Sequence, residues 1–116
     1  MAISIRRGDI VLVNLDPTVG SEQEKTRPAL VIQNDIGNEF SSTTIVAPLT
    51  TKLFSKQYPT NVEIDNSNPP LKEKSTILLN QLRTIDKLRI LKNFGTISSK
   101  KLKEVNEAIM NSLGLE

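Results

Sequence analysis

The amino-acid composition limits the chemistry open to this chain before any motif is considered. Its 116 residues include neither histidine nor cysteine. Imidazole catalysis, thiolate nucleophiles, catalytic triads, disulfides and zinc sites with His or Cys ligands are therefore excluded. Any reaction must use Arg, Lys, Asp, Glu, Ser, Thr or the single Tyr, and we expect neither a metal nor a cofactor.

Residues 20–28, Gly-Ser-Glu-Gln-Glu-Lys-Thr-Arg-Pro, hold the richest set of reactive side chains. The guanidinium of Arg27 suits phosphate, because its planar fork of donors matches two oxygens and its charge persists at any working pH. A lone Arg before proline is equally consistent with a surface ion pair, to Glu22 or Glu24. Arg27 is therefore a candidate phosphate ligand that other motifs must support.

Positive charge is concentrated between residues 83 and 103, although the net charge is only +2. Against the single acid Asp86, this stretch holds Arg83, Lys87, Arg89, Lys92, Lys100, Lys101 and Lys103. Such a stretch attracts phosphates or an acidic peptide, or else it is a solvated surface. Its place in the fold decides between these interpretations.

Short β-branched segments separated by turns must position these side chains. The pattern predicts strands at residues 9–15, 28–33, 43–50, 60–65 and 75–82, and a short sixth at 92–97. A long exposed loop covers residues 16–26, a polar connection covers 34–42, and residues 83–91 are expected to form a helical turn. Pro28 fits only the first residue of a strand, and Pro48 indicates a bulge or an edge.

One helix is predicted near the carboxyl end, after Ser98 or Ser99 as the N-cap and before Gly114. Apolar side chains recur there at helical spacing: Leu102, Val105, Ile109 and Leu113. Its far face, with Ala108 and Met110, is a candidate dimer contact.

We expect one mainly β domain over residues 1–116, a small antiparallel barrel or half-barrel with a C-terminal helix. No apolar run is long enough for a membrane span, and the cytoplasm is the expected location.

Five ordered motifs resemble the MazF/PemK toxins of toxin–antitoxin systems. They are Arg7-Gly-Asp-Ile, Pro17-Thr-Val-Gly-Ser-Glu-Gln, Arg27-Pro-Ala-Leu-Val-Ile-Gln-Asn-Asp, Ile45-Val-Ala-Pro-Leu-Thr and Gln81-Leu-Arg-Thr-Ile-Asp. Five motifs at compatible spacings are more specific than any single pattern. The resemblance implies an SH3-like β-barrel and a homodimer whose interface holds RNA. It also implies sequence-specific, metal-independent cleavage of single-stranded RNA or mRNA, blocked by a cognate antitoxin.

The resemblance further implies roles for particular side chains. Arg27 and Thr50 match the catalytic pair of the most similar family members, and Glu22 matches a Glu that is implicated in some of them. A different branch uses an Arg and an Asp where this chain has Leu78 and Asn80. That second scheme cannot operate here.

RNA carries its own nucleophile, the 2′-OH, so an enzyme must align it, remove its proton and stabilise charge on phosphorus. Arg27 and Thr50 would supply the hydrogen bonds to the phosphate. An Arg side chain holds its proton too tightly to be a good general base. Glu22 is therefore the candidate base, unless it is merely a solvated loop carboxylate. The expected products are a 2′,3′-cyclic phosphate and a 5′-hydroxyl.

Amide and hydroxyl groups are the expected readers of base edges, because aromatic residues are scarce. The candidate RNA-binding residues are Ser21, Gln23, Asn34, Thr51 and Gln81. Gln81 is alternatively a satisfied polar group inside the barrel. Phe54 and Tyr58 either stack on bases or cover the core.

Two other functions stay open at the level of sequence. One is a non-catalytic toxin of the same barrel that binds and poisons a protein such as DNA gyrase. The other is a domain that only binds RNA or antitoxin. The antitoxin is expected to offer an acidic, extended segment that matches the basic stretch from Arg83 to Lys103.

Overall fold

Short strands dominate the computed structural model, which describes residues 3–15, 26–52, 54–67 and 69–115. Within these ranges the strands are β1 (Asp9–Asn14), β2 (Thr26–Val31), β3 (Thr43–Thr50), β4 (Asn61–Ile64), β5 (Ser75–Leu78), β6 (Arg83–Asp86) and β7 (Ile90–Thr96). The helices are α1 (Asp35–Phe40) and α2 (Ser99–Leu113), with a 3-10 turn at Lys87–Arg89. No helix in these ranges is long and apolar enough to cross a membrane.

All seven strands belong to one antiparallel sheet, in the order β4-β5-β3-β2-β1-β7, with β6 also paired to β3. β3 changes partner along its length, since residues 43–46 pair with β6 and residues 49–50 pair with β5. Pro48 lies at the change and keeps a continuous register with β2. The expected bulge or edge at Pro48 is therefore wrong: this proline tolerates an interior strand because its missing N–H falls between two partners.

Successive side chains of a strand point to opposite faces of the sheet, so the apolar residues form one cluster on each face. The inner cluster consists of Ile10, Leu30, Ala47, Leu49, Val62, Ile64, Ile77, Leu79, Ile97, Val105 and Ala108. The outer cluster consists of Ile5, Val11, Val13, Ala29, Val31, Val46, Ile85 and Ile90. Because α2 contributes to the inner cluster, the sheet curls around it. The predicted fold class, a small antiparallel β structure with a C-terminal helix, is confirmed.

The helix α2 follows the sequence prediction closely. Ser98 is the N-cap, and its hydroxyl accepts a hydrogen bond from the Lys101 N–H at 3.2 Å. Gly114 ends the helix with a φ of +72°, a conformation that favours glycine. The expected dimer contact through Ala108 is wrong, since this residue is only 2% exposed within the inner cluster.

Other boundaries differ from the prediction. Residues 34–42 contain the helix α1, capped by the Asn34 side chain, which accepts from the Gly37 N–H at 2.8 Å. Residues 83–86 form a strand rather than a helical turn, and the turn is confined to residues 87–89. β2 begins at Thr26, so Pro28 is its third residue rather than its first.

Candidate active site

Arg27 and Thr50 lie at the same end of two neighbouring strands. The recorded pairs between β2 and β3 are Val31 with Val46, Leu30 with Ala47 and Ala29 with Pro48. Continued by two residues beyond its last pair, the same register would set Arg27 opposite Thr50. Directly opposed residues of antiparallel strands share a face, and the face here is that of the outer cluster.

The proline after Arg27 explains why the recorded pairing stops there. Ile32 N–H donates to Ile45 O at 2.9 Å, which makes this a hydrogen-bonded pair. Such pairs alternate along a ladder, so Pro28 falls opposite Leu49 in the same class. Pro28 has no N–H to donate. The amino end of β2 and the carboxyl end of β3 are thus not paired with each other. Arg27 is exposed there, and Thr50 is partly exposed.

The hydroxyl of Thr50 is oriented by the backbone that follows it. Its Oγ1 accepts a hydrogen bond from the Lys52 N–H at 3.2 Å. Lys52 is held in turn by Thr76, whose buried hydroxyl donates to the Lys52 carbonyl at 3.2 Å. With one lone pair occupied in this way, the Thr50 hydroxyl can donate its proton to a bound anion.

Sequence reasoning missed Lys52 and Thr76 as supports of Thr50. Thr76 pairs directly with Thr50 across β3 and β5. A threonine in a strand is ordinary, however, and Lys52 acts through its backbone, which no residue type reveals. Only the strand register indicates their role.

Two further predicted residues belong to segments that adjoin β3. Thr51 is exposed and follows Thr50 directly. Gln81 is exposed in the turn between β5 and β6, and both of these strands pair with β3. The alternative of Gln81 as a polar group inside the barrel is therefore wrong.

Asn34 is placed elsewhere in the same protomer. It follows the opposite end of β2, about 20 Å of extended chain from Arg27. Its side-chain oxygen caps α1. The structure does not bring Asn34 together with Arg27 and Thr50.

Three predicted site residues, Ser21, Glu22 and Gln23, lie outside the described residues, as does the rest of the segment 16–25. Their roles as base and as RNA contacts stay predictions. The suggested ion pair from Arg27 to Glu22 or Glu24 is untested for the same reason.

The basic stretch does not form one surface. Arg83 is exposed and pairs with Val46, so it shares the outer face with Arg27. Lys87 instead donates to the carbonyls of Asn38 and Ser41 at the end of α1. The three lysines of α2 belong to the helix that closes the inner cluster. Only part of this charge is near the candidate site.

An aromatic pair lies in the connection after Thr50. The rings of Phe54 and Tyr58 meet edge to face, with centroids 5.7 Å apart and an interplanar angle of 83°. The Lys52 ammonium lies 5.0 Å from the Phe54 centroid. Tyr58 is 47% exposed, so its ring does not merely cover the core.

The fold is a small antiparallel sheet with a terminal helix. The candidate site is a guanidinium and a hydroxyl at the ends of two neighbouring interior strands. Residues 6–113 match the family described as PemK-like, MazF-like toxin of type II toxin-antitoxin system. The chain is 50% identical over 111 residues to Endoribonuclease MazF of Staphylococcus saprophyticus, covering 96% of this chain and 92% of that relative. The chain therefore belongs to the PemK-like, MazF-like toxin family.

Solved structures share the fold at lower identity. An endoribonuclease in complex with its cognate antitoxin from Mycobacterial species matches with a TM-score of 0.80 and 20% identity, over 97% of both chains. MazF from Deinococcus radiodurans matches with a TM-score of 0.76 and 25% identity, over 97% of this chain and 99% of that one. Both likenesses support the same curled sheet with a terminal helix.

Proposed function

We propose that this protein is a sequence-specific, metal-independent endoribonuclease toxin that cleaves single-stranded RNA and is neutralised by a cognate antitoxin. The observation that carries the proposal is that Arg27 and Thr50 lie at the same end of two neighbouring strands, just beyond the last pair of β2 with β3. The 50% identical relative is named an endoribonuclease, which supports RNA cleavage. The similar mycobacterial structure contains a cognate antitoxin, which supports neutralisation.

In the proposed reaction, the substrate supplies the nucleophile. The 2′-OH attacks the adjacent phosphorus, loses its proton to a base, and the bond from phosphorus to the 5′-oxygen breaks. The leaving oxygen takes a proton, which gives a 2′,3′-cyclic phosphate and a 5′-hydroxyl. Arg27 donates two hydrogen bonds to the non-bridging oxygens, and the Thr50 hydroxyl donates a third.

The proton transfers are assigned separately from the phosphate contacts. Glu22 is the proposed general base, because a guanidinium holds its proton too tightly for that role. Thr51 and Gln81 are proposed to contact bases beside the scissile phosphate, together with Ser21 and Gln23. These amide and hydroxyl groups offer both donors and acceptors to base edges.

The proposal includes a homodimer in the cytoplasm, as the family resemblance implies. Large apolar side chains are exposed on α1 and on the 3-10 turn, which Lys87 joins to α1: Ile36, Phe40 and Leu88. An apolar surface of this kind is common at contacts between protein subunits. The antitoxin partner is proposed to place an acidic, extended segment against the outer face, near Arg27 and Arg83.

Cleavage in the absence of divalent metal tests the proposal. Purified protein is incubated with single-stranded RNA in EDTA, beside the variants Arg27→Ala and Lys103→Ala. Lys103 is an exposed cation of α2, so its removal matches the change in net charge. We expect wild type and Lys103→Ala to cleave and Arg27→Ala to lose ~100- to 1000-fold in rate.

Intact RNA with the wild-type protein would contradict the proposal and would favour a toxin that acts by binding alone, such as one that poisons DNA gyrase. Equal activity of wild type and Arg27→Ala would remove the phosphate role of Arg27. The cyclic phosphate among the products distinguishes attack by the 2′-OH from hydrolysis by water.

A further inference from the structure

Tyr58 is the exposed member of the aromatic pair in the connection between β3 and β4. Phe54 is partly buried and is contacted twice, by the Lys52 ammonium and by the ring of Tyr58. Edge-to-face packing of this kind stabilises two rings in a fixed relation. Phe54 therefore supports Tyr58, which stays 47% exposed.

A short series of contacts connects Tyr58 to Thr50, a proposed catalytic residue. The Lys52 N–H donates to Thr50 Oγ1, and the side chain of the same lysine lies over Phe54, which packs on Tyr58. The orientation of the Thr50 hydroxyl and the position of Tyr58 thus share one residue, Lys52.

The other side of Tyr58 is tied to the start of β4 and the end of β5. Its carbonyl accepts from the Asn61 N–H at 3.0 Å, and Thr60 O accepts from Leu79 N–H at 2.9 Å. Leu79 begins the turn that carries Gln81. Tyr58 consequently lies between the segment after Thr50 and the turn with Gln81.

We propose that Tyr58 stacks on a base of the bound RNA strand. The inference rests on the proposed function, because it assigns a base to the strand whose phosphate Arg27 and Thr50 hold. A flat, partly exposed ring beside a phosphate contact is the arrangement that single-stranded nucleic acid uses for stacking. The cation of Lys52 adds attraction for the same strand.

The other aromatic residues do not fit this role. Phe40 is 79% exposed but lies on α1, which follows the opposite end of β2 from Arg27. Phe94 is partly buried against the inner cluster, with the Lys92 ammonium 5.2 Å from its ring.

The composition of the chain makes the stacking directly observable. Tyr58 is the only tyrosine and there is no tryptophan, so the intrinsic tyrosine emission comes from this residue alone. The Arg27→Ala variant, which should not cleave, is titrated with a single-stranded RNA oligonucleotide carrying a cleavage site mapped with the wild type. We expect saturable quenching of the emission. RNA that binds in a gel shift but leaves the emission unchanged would overturn the inference.

Variants of the ring complete the test. In the Arg27→Ala background, Tyr58→Ala should weaken RNA binding by roughly 5- to 100-fold, the equivalent of one lost stacking contact. Tyr58→Phe, which keeps the ring, should bind as the parent does. Equal binding by Tyr58→Ala would overturn the inference, as would a loss in Tyr58→Phe that matches the loss in Tyr58→Ala.

The wild-type protein is assayed in parallel so that the two proposals can fail separately. Cleavage by wild type together with unaltered binding by Tyr58→Ala would refute the stacking role alone. Absence of cleavage by wild type would refute the proposed function, and the stacking role with it.

Discussion

Two prolines lie close to Arg27 and Thr50 along β2 and β3. Pro28 removes the hydrogen bond that would extend the ladder between β2 and β3 beyond Ala29 and Pro48. Pro48 occupies the point where β3 passes from β6 to β5. The pairing of β2 with β3 therefore ends beside Pro28, a residue that has no N–H to donate to β3.

For single residues, the sequence predicted part of the site and missed another part. Arg27 and Thr50 are recognisable from residue type and from the family resemblance. The support of Thr50 by Lys52 and Thr76 is not, because it depends on a backbone N–H and on a buried hydroxyl of a distant strand. Asn34 has a structural role that its residue type did not predict, since its side chain caps α1, and its RNA contact stays a prediction.

Among the elements, length and periodicity decided what the sequence could predict. The strand at 43–50 and the helix at 99–113 match their predictions because each has a sustained pattern and clear end signals. The six-residue helix α1 is too short to show a period. The strand β6 buries only Ile85, since its other three residues are exposed. Its pairing with β3 is a tertiary effect that local pattern cannot reveal.

The helix α1 is fastened to the amino-terminal segment by Asp35. Its carboxylate accepts from the Arg7 N–H at 2.6 Å and from the Asn38 side-chain amide at 3.2 Å. These bonds, that of Arg7 first, lower the pKa of Asp35 below its ordinary value of 3.8. The buried Asn38 also accepts from the Thr44 hydroxyl at 2.7 Å, which connects α1 to β3.

Replacing Asp35 by Asn should therefore make stability less dependent on acid. A folded-state pKa below the unfolded one means that the carboxylate stabilises the fold above its ordinary pKa, and that this contribution is lost as the pH falls through the lowered value. Asp35→Asn should unfold more easily than wild type at neutral pH in urea, and the difference should shrink in acid.

Glu107→Gln is the control, a matched carboxylate-to-amide change at an exposed position of α2. A stability difference between Asp35→Asn and wild type that stays constant with pH would mean that the charge of Asp35 does not stabilise α1.

For the molecule as a whole, the sheet separates two surfaces that the linear sequence mixes. Arg27, Thr50 and Arg83 lie on the outer face by strand register, whereas α2 closes the inner cluster on the opposite face. The charges of residues 83–103 are neighbours in sequence but are divided by this arrangement. The clustering of these positive charges in the sequence therefore predicted a larger basic surface than the fold provides.

This separation predicts unequal effects of two cations on RNA binding. In the Arg27→Ala background, Arg83→Ala should reduce the slope of log K against log salt by about 1, as expected for one lost phosphate contact. Lys103→Ala removes the same charge from α2 and should leave the slope unchanged. Equal changes in the two variants, measured by titration at several salt concentrations, would show that RNA is not confined to the outer face.

The convergence of Arg27 and Thr50 on one phosphodiester is tested most directly by a double-mutant cycle on the single-turnover cleavage rate. Arg27→Ala and Thr50→Val should each lose ~100- to 1000-fold, while Thr50→Ser, which keeps the hydroxyl, should retain most activity. If both groups act on the same phosphate, the double variant should cleave only slightly more slowly than the less active of the two single variants. Losses that simply multiply would show that the two residues act independently.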